Sequence, residues 1–296
     1  MIGETILHYK ILEKLGEGGM GVVYLAEDTK LKRQVAIKFL PHHISANEEE
    51  RKRFEIEAQA AAALNHPNIA TIHAIEKYDG QMFIVMEYIE GKELKEIIER
   101  KHVGAEYIQP LQINDIINYA IQIAEGLDSA HKKGIIHQDI KSSNIMVTND
   151  GKVKIMDFGL AKIQGSKETT KIDTTIGTAY YMSPEQIRGG DLEHKTDLWS
   201  FGVVLYEMLT GKLPFTGDYE QAISYSIVNE KQKPVSDYRD DIPEDLVFVV
   251  NKCLSKNADQ RYNNAGELLA DINSFKEKRT NGKKSADFSY MKADKK

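Results

Sequence analysis

The chain has 296 residues, 41% hydrophobic and 28% charged, enough to bury roughly three quarters of its unfolded surface, which argues against wholesale disorder. Thirty-nine Lys and Arg against 45 Asp and Glu leave a net charge of −6, which disfavours sequence-independent nucleic-acid binding. The single cysteine, Cys253, excludes an internal disulfide and a cysteine-ligated zinc site and fits a reducing compartment. No apolar run nears the ~18 residues that cross a bilayer, and MIGETILHYK lacks a signal-peptide pattern. A soluble, cytoplasmic chain is expected, one that a longer protein could tether to a membrane.

Taken in order, Tyr9–Leu15, Val22–Ala26 and Val35–Leu40 read as strands separated by turn residues. Ser45 and Glu48 have the spacing of a capping box and open a helix that ends at Asn65-His66-Pro67. Ile69–Glu76 and Gln81–Tyr88 form a hairpin through Asp79-Gly80. Ile113–His131 carries Ile113, Ile116, Ile117, Ala120, Ile123, Ala124 and Leu127 at helical spacing. A second hairpin joins Ile145–Val147 to Lys152–Met156. Leu198–Leu209, Asp245–Leu254 and Ala265–Phe275 read as helices. From Lys276 to Lys296 there are eight Lys or Arg against three Asp or Glu, and this stretch reads as a flexible basic linker. The pattern is a small sheet-rich lobe followed by a larger helical lobe, with a boundary near Tyr88–Gly91.

Several segments carry chemistry. Gly16, Gly18 and Gly21 fit GxGxxG between two strands, where backbone amides can approach phosphate; a plain glycine hairpin has the same spacing. Strand alternation puts Ala36 and Lys38 on one face, and a lysine on a buried face needs an anion. The following helix offers Glu57, with Glu55 as competitor. His137-Gln138-Asp139-Ile140-Lys141-Ser142-Ser143-Asn144 precedes Asp157-Phe158-Gly159. Two carboxylates, an amide and a lysine suit a magnesium-phosphate site, because Mg2+ takes oxygen ligands and a second carboxylate can accept a hydroxyl proton.

With Ser183-Pro184-Glu185 and Asp197-Leu198-Trp199-Ser200-Phe201-Gly202 added in order, residues 8–275 resemble the bacterial eukaryotic-like Ser/Thr protein kinases. The resemblance implies an α+β bilobal fold: an antiparallel-sheet lobe with one main helix over 1–88, a mainly helical lobe over 89–275, and a tail over 276–296. It further implies that Gly16, Gly18 and Gly21 cover ATP phosphates, that Lys38 contacts them while paired to Glu57, and that Asp157 and Asn144 hold Mg2+, with Mn2+ as an alternative. Asp139 would accept the substrate hydroxyl proton and Lys141 would steady the γ-phosphate. Val23, Ala36 and Met146 would enclose adenine, Met86 would guard the rear of the pocket, and the Glu87 and Ile89 backbones would bond the adenine edge. Thr178 would touch Asp139 and Lys141, Glu93 would contact ribose or substrate, and Glu185 would pair with Arg261. The implied partners are protein substrates and a second copy of the chain, through dimerisation or autophosphorylation.

The chain departs from the family pattern at four positions, one of them Ser183 in place of the usual alanine, a small substitution expected to be harmless. Gln138 stands where an arginine usually receives an activation-loop phosphate, so less dependence on loop phosphorylation is expected. Thr169, Thr170, Thr174 and Thr175 remain candidate phosphosites, with Lys162, Lys167 or Lys171 as substitute cations. Ser142 replaces a common proline. Ser143 replaces a frequent glutamate that helps bind basic substrates. The competing readings are an ATP-binding pseudokinase scaffold and a small-molecule phosphotransferase; Gly177–Glu185, similar to a peptide-binding segment, argues against the second.

Overall fold

A computed structural model describes residues 1–18, 21–41, 47–99, 111–158 and 176–293, with side chains described to residue 279. The first part is an antiparallel sheet of β1 (Thr5–Ile6), β2 (Tyr9–Gly18), β3 (Gly21–Asp28), β4 (Arg33–Phe39), β5 (Ile72–Tyr78) and β6 (Gln81–Glu87), in the order β1-β2-β3-β4-β6-β5. Central strands β4 and β6 are buried on both faces. Val35, Ile37 and Phe39 pack with Phe83 and Val85 on one face; Ala36 and Leu40 pack with Met82, Ile84 and Met86 on the other. Alternation thus places Lys38 on the Ala36 face, as its sequence position requires.

That second face is covered by α1 (Glu48–Ala62) through Phe54 and Ala58. The Asn47 side chain caps α1 by accepting from the Glu49 and Glu50 amides at 3.0 and 3.3 Å. Three glutamates in the first turn complement the helix dipole. This corrects the expected Ser45–Glu48 box: Ser45 lies outside the described residues, and the capping oxygen comes from Asn47. Between β5 and β6, Asp79 and Gly80 both have positive φ, 47° and 78°, which matches the twist of a two-residue hairpin.

After β7 (Gly91–Glu93) and α2 (Leu94–Ile98) the chain is mainly helical. Helix α3 (Ile113–His131) has the predicted bounds and buries the predicted stripe. Strands β8 (Ile145–Thr148) and β9 (Val153–Ile155) join β7 in a three-stranded sheet, β7-β8-β9. Short helices α4 (Ile176–Ala179) and α5 (Pro184–Arg188) lead to α6 (Lys195–Thr210), whose residues Thr196 to Leu209 are all buried. A helix apolar around most of its circumference belongs at the centre of a lobe, and α6 sits there. Then come α7 (Glu220–Asn229), α8 (Glu244–Cys253) and α9 (Ala265–Ala293), with α9 packed along α3.

The backbone of α9 runs helically to Ala293, across the stretch read from sequence as a flexible linker. Lys, Arg, Glu and Ala are good helix formers, and a charged helix without a sustained apolar stripe leaves no periodic signal. Helices α2, α4, α5 and α7 were not expected. In α7 only Ile223, Ser226 and Ile227 are buried, too short a stripe to register as a pattern.

Candidate active site

The catalytic-loop segment is positioned from inside the helical lobe. Asp197, fully buried near the start of α6, accepts the His137 and Gln138 amides, each at 2.8 Å, and contacts the His131 ring at 2.7 Å. Burial raises the Asp197 pKa, but the hydrogen bond and charge of His131, aided by the His137 contacts, outweigh it and hold the carboxylate below its ordinary range. Gln138 adopts φ 67°, a left-handed conformation that costs a non-glycine residue about 1–3 kcal/mol. Asp197 offsets that cost, as does the Gln186 side chain, which donates to the Gln138 carbonyl at 2.8 Å. The His137 ring meets the Met156 carbonyl at 2.7 Å, which ties this loop to the residue before Asp157.

Asp139 follows, only 6% exposed. Its Oδ2 accepts from Asn144 Nδ2 at 3.0 Å and pairs with Lys141 Nζ at 2.8 Å; Asn144 Nδ2 also donates to the Asp139 carbonyl at 2.9 Å. Oδ1 is buried with no hydrogen-bond partner among the described residues. A buried carboxylate oxygen normally has a partner. Here one oxygen is clamped and the other is left as an acceptor. Lys141 also donates to Thr178 Oγ1 at 2.9 Å, which brings Thr178 to the site as expected.

Across the cleft, Lys38 is 5% exposed and donates to Asp157 Oδ2 at 2.9 Å. The resemblance implies a pairing of Lys38 with Glu57, and the ion pair with Asp157 is an addition to that expectation; Glu57 lies on the α1 face that carries Phe54, Ala58 and Ala61. Burial raises the Asp157 pKa, but the charge and hydrogen bond of Lys38 outweigh it and hold the carboxyl below its ordinary value.

The glycines divide into two kinds. A Cβ at Gly21, whose φ is 110°, would lie 1.8 Å from the Phe39 carbonyl oxygen, so the fold itself demands glycine there. Among the described residues a Cβ at Gly16 or Gly18 would meet nothing within 4 Å, so their packing does not account for either. Open space above two bare backbones suits an approaching anion. Val23, Ala36 and Met86 share the sheet face towards α1, and Ala36 pairs directly with Met86 across the strands. Ile89 is buried after β6. Met146 lies on β8, paired with Glu93 on β7. Glu93 is half-buried, and its carboxyl is raised by burial and then by Glu96. Thr169, Thr170, Thr174, Thr175, Gly159 and the candidate loop lysines lie outside the described residues.

Two buried polar contacts hold the segment from Thr178 to Arg188. Arg261 NH1 and NH2 meet the two Glu185 carboxylate oxygens at 2.7 and 2.9 Å, the pairing expected from sequence. The second was not anticipated. Glu207 accepts from Tyr181 Oη at 2.8 Å and from Ser142 Oγ at 3.2 Å, joining α6, the catalytic loop and the Tyr181 turn. A glutamate in the otherwise apolar run Val203–Leu209 was the one sequence signal for it. Burial pushes the Glu207 carboxyl up to about 6, against the opposing hydrogen bonds from Tyr181 and Ser142. The unfolded chain releases this proton near the ordinary value of 4.5. Between those values the native state binds more protons, so this group lowers stability as pH rises, and its contribution levels off above about 6. Glu207→Gln removes that slope, which denaturant midpoints measured across the interval will show.

The protein kinase domain model matches residues 9–271. The chain belongs to the protein kinase family. It is 41% identical over 277 residues to a probable serine/threonine-protein kinase of Clostridium acetobutylicum, covering 93% of this chain and 41% of that one. It is 37% identical over 273 residues to the serine/threonine-protein kinase PrkC of Bacillus subtilis, covering 92% and 41%. The kinase chain therefore spans about two fifths of the length of these curated relatives. The Mycobacterium tuberculosis PknI kinase domain superposes with a TM-score of 0.72 at 25% identity, over 93% of this chain and 98% of that one. The α+β bilobal kinase fold expected from sequence is the fold observed. Within it, Asp197, Gln186, Tyr181 and Glu207 position the kinase loops, yet spacing alone assigned them no such role.

Proposed function

We propose that this chain transfers the γ-phosphate of ATP to serine and threonine hydroxyls of proteins. The observation that carries the proposal is Asp139: Oδ2 is clamped by Lys141 and Asn144, while Oδ1 is buried without a partner among the described residues. A substrate hydroxyl bonded to Oδ1 gives up its proton there as its oxygen forms a bond to phosphorus, and the bond to the departing ADP oxygen breaks. Lys141, held by Thr178, offers its ammonium to the transferring phosphoryl group. Lys38, with Glu57 in support, neutralises the neighbouring phosphates. Gly16, Gly18 and Gly21 cover them with backbone amides.

The donors present are a carboxylate and an amide whose nitrogen is spent on Asp139, which leaves the amide oxygen for a hard cation; this set fits Mg2+. Asp157 and Asn144 would hold Mg2+, or Mn2+, which when bound offsets charge on the phosphates. Val23, Ala36 and Met146 enclose adenine, Met86 backs it, and the Glu87 and Ile89 main chains bond its edge. Glu93 contacts ribose or substrate. The lobes divide near residue 88, with 276–296 as a basic extension, and the working location is the cytoplasm. A second copy of the chain is the proposed partner for autophosphorylation. No helix among the described residues is long and apolar enough to cross a membrane.

The test is transfer of labelled γ-phosphate, with Mg2+, to the chain itself and to casein, followed by phosphoamino-acid analysis. Label on serine or threonine supports the proposal. ATP binding without transfer would favour a pseudokinase, and transfer only to free sugars a small-molecule phosphotransferase.

Gln138 carries a finer proposal, that activity depends little on loop phosphorylation. Its backbone is held by Asp197 and Gln186, and no cation stands at this position to receive a phosphate. Replacing Thr169, Thr170, Thr174 and Thr175 together with alanine is expected to leave casein phosphorylation within about threefold of the parent, since no charge-assisted bond to residue 138 is lost. A collapse of activity would sink this proposal.

A further inference from the structure

Besides Lys38–Asp157, a second ion pair spans the junction of the two lobes. Lys154 Nζ on β9 meets both carboxylate oxygens of Glu87, at 2.8 Å to Oε1 and 2.9 Å to Oε2. The two side chains are 16% and 29% exposed, so solvent screens this pair less than a surface pair. Glu87 ends β6 at the hinge, and Lys154 stands three residues before Asp157.

The surroundings make this contact a link between rigid parts. The Ile155 amide donates to the Asn68 carbonyl, and the Ala70 amide to the Ile155 carbonyl, each at 2.9 Å. Asn68 Nδ2 donates to Gln122 Oε1 on α3 and to the Val153 carbonyl, at 3.0 and 2.9 Å. Helix α3 approaches so closely that a Cβ on Gly126 would lie 3.2 Å from the Asn68 carbonyl oxygen. Residues 68–70 are therefore fastened to the helical lobe. Glu87 reaches that fastened segment twice: its amide donates to the Thr71 carbonyl at 2.8 Å, and its Oε2 accepts the Thr71 amide at 3.1 Å. One carboxylate thus joins the hinge to Thr71 and, by charge, to the strand that leads into Asp157. Any opening that carries β6 away from β9 must stretch or break the Lys154–Glu87 pair.

We propose that Lys154 is a positioning residue whose ion pair with Glu87 straps the hinge to the strand carrying Asp157, restrains opening of the nucleotide cleft, and so sets the rate at which nucleotide leaves. This rests on the kinase reading, in which the Glu87 main chain holds adenine and Asp157 holds the metal. The strap couples those two anchors directly, so loosening it acts on nucleotide release before it acts on phosphoryl transfer.

The experiment measures dissociation of the fluorescent nucleotide mant-ADP, with Mg2+, by stopped flow, and the thermal midpoint of each variant. Lys154→Met is expected to release mant-ADP about fivefold faster, and Glu87→Gln to shift the rate in the same direction; the double variant is expected to be no faster than the faster single one, because both remove one interaction. Lys154→Arg is expected to restore a rate near the parent's. Release rates unchanged in both single variants, with only the midpoint lowered, would leave the pair a purely structural contact and overturn the proposal. Single effects that multiply in the double variant would overturn it as well. Should Lys154→Met fail to fold, Glu87→Gln and Lys154→Arg, which keep the side-chain volume and the charge respectively, still decide the matter. A parent chain that binds no mant-ADP would overturn the nucleotide reading and the strap with it, whereas a parent that binds it and variants that release it unchanged would overturn the strap alone.

Discussion

Replacing Asp157 with alanine lowers γ-phosphate transfer to casein by on the order of 10^3-fold, the scale on which removal of one preorganised charge-stabilising group slows an enzyme. In the proposed mechanism this carboxylate, held ionised against its burial by Lys38, is one of two protein oxygen donors to the metal. The structure adds that the same carboxylate faces the buried Lys38 ammonium at 2.9 Å, so the alanine variant loses a counter-charge together with a metal ligand. Asp157→Asn separates the two effects, since it keeps the shape and an oxygen donor while removing the charge. The check is labelled transfer beside a thermal melt of each variant. A folded alanine variant that retains transfer within tenfold of the parent would remove Asp157 from the catalytic assignment.

Glu185→Ala costs about 3–5 kcal/mol of stability and lowers the unfolding midpoint by roughly 10 °C. The reason is what remains behind. Arg261 is 3% exposed, and its guanidinium loses both Glu185 oxygens while, among the described residues, keeping hydrogen bonds to the Ser255 and Lys195 carbonyls alone, at 2.9 and 3.0 Å. Thr196 loses its acceptor as well. Glu185→Ala combined with Arg261→Met recovers part of the loss, because removing both charges is cheaper than stranding one. The pH sign follows from the direction of the shift. Burial raises the Glu185 pKa, but the Arg261 hydrogen bond and charge more than offset it, so the folded value lies below the ordinary 4.5. The stabilisation is therefore present above pH 4.5 and lost as pH falls through the folded value. Thermal melts of parent and variant across that range test both statements, and an unchanged midpoint at neutral pH would count against the pairing.

Local patterns were legible because local physics imposes them. The apolar stripe of Ile113–His131 gave α3 its bounds, since an amphipathic helix needs one wet face and one dry face. Asp79-Gly80 announced its hairpin because both residues tolerate positive φ. The order of Gly16-x-Gly18-x-x-Gly21, Lys38, Asp139, Asn144 and Asp157 pointed to phosphoryl transfer because that chemistry demands those residue types. Short helices such as α7 offered too few buried positions to show a period. Ser45 has the capping-box spacing to Glu48, yet the cap is Asn47, which only the folded helix start reveals.

Local residue patterns were therefore enough to name the chemical groups and the elements that carry them. The tertiary structure decided how those groups meet. Lys38 and Asp157 are 119 residues apart, and Asp197 reaches back 60 residues to the His137 amide. The left-handed backbones of Gln138 and Asp157, at φ 67° and 59°, are not fixed by local preference, which is absent for glutamine and only modest for aspartate. They persist because buried partners from distant elements over-determine them, and a buried carboxylate in an apolar helix, such as Asp197 or Glu207, declares its partners only once the chain has closed around it.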